Sequence, residues 1–285
     1  MPIIDFRVRP PAGNFPNIDI FPKLGQERSA NWGWYSKLPP SINARSMPML
    51  VEEMKGCGVE YGVVWGRADM AAEQSVPHNE VRDILDTWGD VFIAGFGGIT
   101  LRDGLKFALT EVESAKAMGL SGVTIEPGWS GLPGKRADDR WLYPIYDLCQ
   151  DLGLILAVTA SVRMGTDISF ANPDACDRVA GDFPRLPMVV SHAFWPWVEE
   201  SCGVAFRRPN IYLLPDLYGW SSAGYTKWIE AANTYLADRM LFGSAYPLMG
   251  TADIVEAYRR LPYKDGVLDK VLYGNAARLL GFQTT

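Results

Sequence analysis

Leu154-Ile155-Leu156-Ala157-Val158-Thr159 and Met188-Val189-Val190-Ser191-His192 are two β-rich runs whose cores, Leu154–Val158 and Met188–Val190, are unbroken apolar stretches. Strands buried on both faces read this way, because helices cover parallel sheets. Between them the residues Pro173–Phe183 carry a helical pattern, so the whole is one strand–helix–strand unit. The same alternation extends in both directions. It predicts further strands at Ile3–Val8, Tyr61–Trp65, Phe92–Phe96, Gly122–Ile125, Asn210–Leu214 and Met240–Phe242, eight in all. Helical patterns fall at Met47–Lys55, Asn79–Trp88, Leu105–Met118, Trp141–Leu152, Trp195–Phe206, Tyr225–Leu236 and Asp253–Leu261, with a closing pair at Val267–Leu272 and Ala276–Leu280. Strict alternation argues for a parallel sheet, and eight units favour a closed α/β barrel, a (β/α)8 TIM barrel.

The length of 285 residues suits that architecture, for which about 250 residues is usual, and the reading takes residues 1–285 as one domain. Neither GxGxxG nor GxxxxGK[ST] follows the first strand, which counts against nucleotide binding. The charge is mildly acidic, with 27 Lys plus Arg against 33 Asp plus Glu, so no basic footprint for nucleic acid exists. The segment Met1–Arg9 holds an Asp and two Arg and does not read as a signal peptide; no apolar run approaches the ~18 residues of a membrane span. A cytoplasmic protein without membrane partners is expected, its four cysteines reduced.

One connection stands out. Residues Pro10 to Ser46 are irregular, rich in Pro and Gly, and include Trp32, Trp34 and Tyr35. A long loop after strand 1 lies over the C-terminal mouth of a barrel, where active sites sit, and reads equally as a lid or as a packing extension.

Chemistry-bearing residues collect at strand ends. Side chains alternate along a strand, so Asp5, Arg7 and Arg9 are expected to share the inner face, with Ile4, Phe6 and Val8 against the helices. Guanidinium groups there form either a fork for a substrate carboxylate or a structural ion cluster. Glu126 ends strand 4 before Pro127-Gly128, as a general acid or base with a burial-raised pKa, or as an ion partner for Arg7 or Arg9. His192 ends strand 6, with Phe194, Trp195 and Trp197 following, and is the candidate proton shuttle or orienter. Asp216 ends strand 7, as an acid/base, a cap or an Arg partner. Ser244 and Tyr246 follow strand 8. The other histidine, His78, reads as a surface or capping residue.

The order of Ile3-Ile4-Asp5, Gly119 through Pro127, Ser191-His192, Leu241 to Pro247 and Tyr273-Gly274-Asn275-Ala276-Ala277-Arg278-Leu279 resembles the amidohydrolase-2 branch of the amidohydrolase superfamily, related to aminocarboxymuconate semialdehyde decarboxylase. The resemblance covers nearly the whole chain. It implies the (β/α)8 fold and hydrolase or decarboxylase chemistry on a divalent metal. The metal positions depart from the pattern: Arg7 and Arg9 stand for the family's strand 1 His-x-His, Val158 lies near the strand 5 His, and Ala245 replaces the strand 8 Asp. Only His192 is retained. A metal site needs three or four N, O or S donors, and like unit charges 4 Å apart repel by about 4 kcal/mol at an effective dielectric of 20. No metal and no cofactor are therefore expected.

From these residues we expect a metal-independent hydrolase of a small carboxylate-bearing amide or lactone. Arg7 and Arg9 bind the anion, His192, Asp216 and Glu126 handle protons, and Tyr246 and Trp195 shape the pocket. A decarboxylase on a similar carboxylate is the alternative, and a non-catalytic anion-binding or partner subunit the second. The exposed helical ring and the resemblance point to a homodimer.

Overall fold

The computed structural model describes residues 1–21, 39–68, 74–131 and 134–283. Strands β1 (Ile3–Val8), β2 (Val59–Trp65), β3 (Phe92–Gly98), β4 (Gly122–Ile125), β5 (Ile155–Thr159), β6 (Met188–Ser191) and β7 (Ile211–Leu214) form one parallel sheet in chain order. After the short helix α1 (Pro40–Ala44), the helices α2 (Met47–Gly56), α3 (His78–Thr87), α4 (Leu105–Ala117), α5 (Tyr143–Leu152), α6 (Asp174–Asp182) and α7 (Val198–Arg207) connect successive strands. Their termini follow from local chemistry. Ser46 accepts a hydrogen bond from the Met49 amide at the start of α2, and Gly153 ends α5 at φ 65°, a left-handed conformation that costs glycine nothing.

The eighth stave departs from expectation. Residues 240–246 form no strand; isolated bridges join Leu213 to Met240 and Val8 to Tyr246. Leu241 N donates to Leu213 O at 2.9 Å, while Phe6 N and Arg9 N donate to Phe242 O and Tyr246 O, each at 3.0 Å. The segment thus closes the barrel between β7 and β1 without a continuous ladder, because the chain turns at Ala245, whose φ is +56°. Asn275 fastens it from below, donating to the carbonyls of Ala237 and Met240 at 2.8 Å each. That side chain explains the Gly274-Asn275-Ala276 stretch. The two closing helices run together instead of forming a separate pair: Val267–Asp269 passes through a π turn at Lys270–Gly274 into Asn275–Leu280.

Two apolar layers hold the barrel. The larger lies between sheet and helices. The smaller joins Ile4, Phe6, Val63, Trp65, Ala94, Phe96, Ala157, Val189 and Leu214, bringing residues of β1–β3 together with residues of β5–β7 from the far side of the sheet, so it fills the interior. Phe6, Trp65 and Phe96 pack with ring centroids 5.6–6.5 Å apart. Gly122 opens β4 because the Phe96 ring leans over it; an added Cβ would meet that ring at 2.1 Å.

This interior corrects the expected faces of β1. Of the three apolar residues expected against the helices, Ile4 and Phe6 point inward and Val8 alone joins the helix-facing layer. Register runs from Asp5 opposite Gly62 to Val8 opposite Val64, so β1 carries one extra residue there. A bulge breaks the period of two and lets Phe6 and Arg7 both face inward. Asp5 is instead buried beneath the site, its Oδ1 accepting from the amides of Arg7 at 3.1 Å and Ser244 at 2.9 Å.

Of the long connection after β1, the described part packs down: Phe15, Ile18 and Phe21 are buried, and residues 40–44 form a short helix. Trp32, Trp34 and Tyr35, named in the lid reading, lie outside the described residues. Among the described residues no helix is long and apolar enough to cross a membrane.

Candidate active site

A cavity of about 480 Å³ opens at the C-terminal ends of the strands. Arg7 lines it from β1 and Thr159 from the end of β5, while Arg9, Arg67, Glu126 and His192 line it from just past β1, β2, β4 and β6. Arg67, Glu126, Thr159 and His192 each follow or end an apolar run, so the buried strand carries its polar end residue to the barrel mouth.

The site divides into two ion groups. In the first, Arg7 Nη1 donates to Asp216 Oδ2 at 2.9 Å and contacts His192 Nε2 at 3.1 Å. His192 Nδ1 lies 2.9 Å from Asp216 Oδ1, and its amide donates to Oδ2 at 3.3 Å. A carboxylate facing Nδ1 requires the proton there, so Nε2 keeps its lone pair and accepts from Arg7. Burial lowers the His192 pKa, Asp216 opposes that shift and Arg7 adds to it, which leaves the imidazole neutral at pH 7. Arg7 also lies over the Trp65 ring, Cζ to centroid 5.4 Å.

In the second group Glu126 accepts from Arg9 Nη2 at 3.1 Å, Arg67 Nε at 2.9 Å and Thr159 Oγ1 at 3.2 Å. Burial alone would raise its pKa. The guanidinium groups of Arg67, Arg9 and Arg7 outweigh burial and hold it at about 2. This corrects the expectation of a burial-raised acid: Glu126 is a permanent anion near neutrality and cannot donate a proton. Burial and the neighbouring Arg7 push Arg9 down to about 9, against the pull of Glu126. Arg67 also pairs with Asp19 of the β1 connection, and those two carboxylates raise its pKa despite burial.

The remaining sequence-derived residues fall elsewhere. Asp216 is completely buried behind Arg7 and His192 and does not line the cavity, so it positions both. Trp195 stands outside the wall, stacked on Tyr218 at 4.7 Å, with its indole donating to Ala223 O at 3.0 Å. Tyr246 is buried away from the cavity, its hydroxyl 2.9 Å from Ser41 Oγ. Neither touches the space that they were expected to shape. His78 is likewise no surface residue: it is buried, with Nε2 2.9 Å from Gly98 O.

Sequence reasoning missed Arg67, Asp19, Arg163 and Tyr218, all of which line the cavity. Val63-Val64-Trp65-Gly66-Arg67 carries the same signal that marked Glu126 and His192, an apolar run ending in a charge. Asp19 carries none. The turns after β6 and β7 hide their geometry too: His192, Ala193, Phe194 and Asp216 all have positive φ (64°, 43°, 64° and 44°) without a glycine among them. Such backbone costs roughly 1–3 kcal/mol per residue and clusters at functional sites.

These donors do not fit a divalent ion. Arg7, with no lone pair to offer, fills the point on which His192 Nε2 and Asp216 Oδ2 converge. Among the described residues no three His, Cys, Asp or Glu side chains gather as metal ligands.

No curated protein matches the chain. Among solved structures, the uncharacterized TIM-barrel protein Bb4693 from Bordetella bronchiseptica is 39% identical, with 99% of each chain covered and a TM-score of 0.92. The 5-carboxyvanillate decarboxylase LigW from Sphingomonas paucimobilis shares 18% identity over 99% of each chain at a TM-score of 0.66. A dihydroxybenzoic acid decarboxylase from Polaromonas sp. JS666, with bound manganese and 2-nitroresorcinol, shares 14% over 98% of this chain and 97% of its own, at 0.68. The amidohydrolase family model, Amidohydro_2, matches residues 4–282, so the chain belongs to the amidohydrolase family on a TIM-barrel fold.

Proposed function

We propose that the chain is a metal-independent decarboxylase of a small, ring-sized carboxylate. The observation that carries this reading is the state of the two candidate bases. Glu126, held at about 2, is a feeble base, and His192 Nε2 is engaged by Arg7. Hydrolysis, the first expectation, needs an activated water, and without a metal hydroxide it would fall to one of these groups. Decarboxylation needs none. The C–C bond to the carboxylate breaks, CO2 leaves, the electron pair stays on the substrate carbon, and a proton replaces the carboxyl group.

In this reading the substrate carboxylate draws Arg7 and Arg9 to itself and the substrate covers His192 Nε2 in place of the guanidinium, so no water reaches that nitrogen once the substrate is seated. The imidazole takes one proton from solvent as the substrate enters, its charge stabilised by Asp216 behind Nδ1, and delivers it to the carbon that holds the electron pair as CO2 leaves. Glu126 keeps Arg9 and Arg67 oriented throughout. The decarboxylase names of two structural neighbours support this order of preference; at their low identity they bear on fold, and so the activity is our inference.

The test is CO2 release from 5-carboxyvanillate and dihydroxybenzoates by chelator-treated protein, beside a panel of carboxylated lactones and amides. Release of CO2 that is indifferent to added Mn2+ supports the proposal. Acid release without CO2 returns the site to hydrolysis. Thermal stabilisation by a carboxylate with no turnover favours the anion-binding reading, and strict Mn2+ dependence refutes metal independence.

A further inference from the structure

We infer that the Arg7 guanidinium is a built-in cation seated in a two-donor site, and that shortening Arg7 turns that seat into a binding site for an external cation. One nitrogen, Arg7 Nη1, meets His192 Nε2 at 3.1 Å and Asp216 Oδ2 at 2.9 Å. An imidazole lone pair and a carboxylate oxygen aimed at a common point are the donor types that hold zinc and cobalt. The seat is prepared for a cation: His192 is oriented by the hydrogen bond from Nδ1 to Asp216 Oδ1, an outer bond of the sort that fixes ligating histidines. It is also enclosed, with Arg7 2%, His192 6% and Asp216 0% exposed, yet Arg7 and His192 border the cavity, so a path from solvent exists.

The guanidinium satisfies this seat with N–H donors and excludes other cations by charge and by volume. A partner for the charge cannot be dispensed with, since two buried acceptors would otherwise be left without one. Without the guanidinium, His192 and Asp216 supply two donors; an imidazole at position 7 would add a third. The inference is independent of which reaction the cavity performs.

The experiment uses Co2+ alone and the guanidinium ion alone as probes, on full-length protein, with circular dichroism confirming each variant's fold. Arg7→His is expected to bind about one Co2+ per chain with visible absorption, and the band is expected to vanish when His192→Ala is added. Arg7→Ala is expected to gain a saturable rise in melting temperature from low-millimolar guanidinium. Wild-type protein is expected to show neither response. A cobalt band of about one Co2+ per chain in wild type overturns the inference. So does the joint absence of cobalt in Arg7→His and of guanidinium rescue in Arg7→Ala. The wild-type arm requires no variant, so refutation remains open whichever variant folds.

Discussion

Arg67 and Glu126 lie beyond the ends of β2 and on the end of β4, with β3 between them, yet Arg67 Nε sits 2.9 Å from Glu126 Oε2 while Arg9 holds the other oxygen. One carboxylate therefore separates two buried guanidinium groups. Glu126→Gln keeps the shape and removes that charge, leaving Arg9 without its carboxylate and Arg67 with Asp19 alone. Breaking a buried pair from one side costs about 3–5 kcal/mol. Urea denaturation at pH 7 is expected to show a loss of that order, and a loss under 1 kcal/mol would mean that the cluster contributes no net stability.

Acid should close that gap. The Glu126 pKa falls from 4.5 to about 2 on folding, so its contribution is complete above pH 4.5 and disappears as pH falls toward 2. The shift corresponds to roughly 3 kcal/mol. Wild type and Glu126→Gln are expected to converge in stability between pH 4.5 and 2; a constant difference across that window contradicts the assignment.

Asp5 runs the other way. Burial raises its pKa from 3.8 to about 6, against the hydrogen bonds from Ser244 and Arg7. Its raised value favours the folded state below pH 3.8, an advantage lost as pH rises through 6. Asp5→Asn keeps an oxygen for the two amides and avoids burying a charge. It should be more stable than wild type at pH 8, by about 1–3 kcal/mol of unfolding free energy, and match it near pH 4. Equal melting at both pH values would show that the carboxylate is not destabilising.

His192→Ala should lower turnover of the substrate identified by CO2 release at least about 10²-fold while leaving the circular dichroism spectrum unchanged. An unaltered kcat removes the imidazole from the reaction.

The fold was legible because apolar runs and helical periods recur along the chain, and β4 and β6 begin and end where the patterns put them. The site was legible in part, through charges that end apolar runs, as at Glu126 and His192. The inner face of β1 was not, since a bulge leaves no mark in alternation. Nor were Trp195 and Tyr246 placed correctly: proximity to a strand end puts an aromatic near the mouth, but backbone turning decides which way it faces. Met240–Phe242 read as a strand from composition, while their pairing depends on Leu213 on one side and on Phe6, at the far end of the chain, on the other.

Tyr246 gives a check on that correction. Tyr246→Phe removes the hydroxyl beside Ser41, at a cost of about 1 kcal/mol of stability. Substrate affinity should be unaltered, and a tenfold change in KM would return the phenol to the cavity wall.

His78 is held against the Gly98 carbonyl away from the active-site cavity, so only one of the chain's two imidazoles meets that cavity. Histidine ring protons thus supply a ready-made magnetic resonance probe: one set of signals stays fixed as an internal reference, the other moves with each occupant. Small molecules can be ranked against this barrel before any of them is known to react.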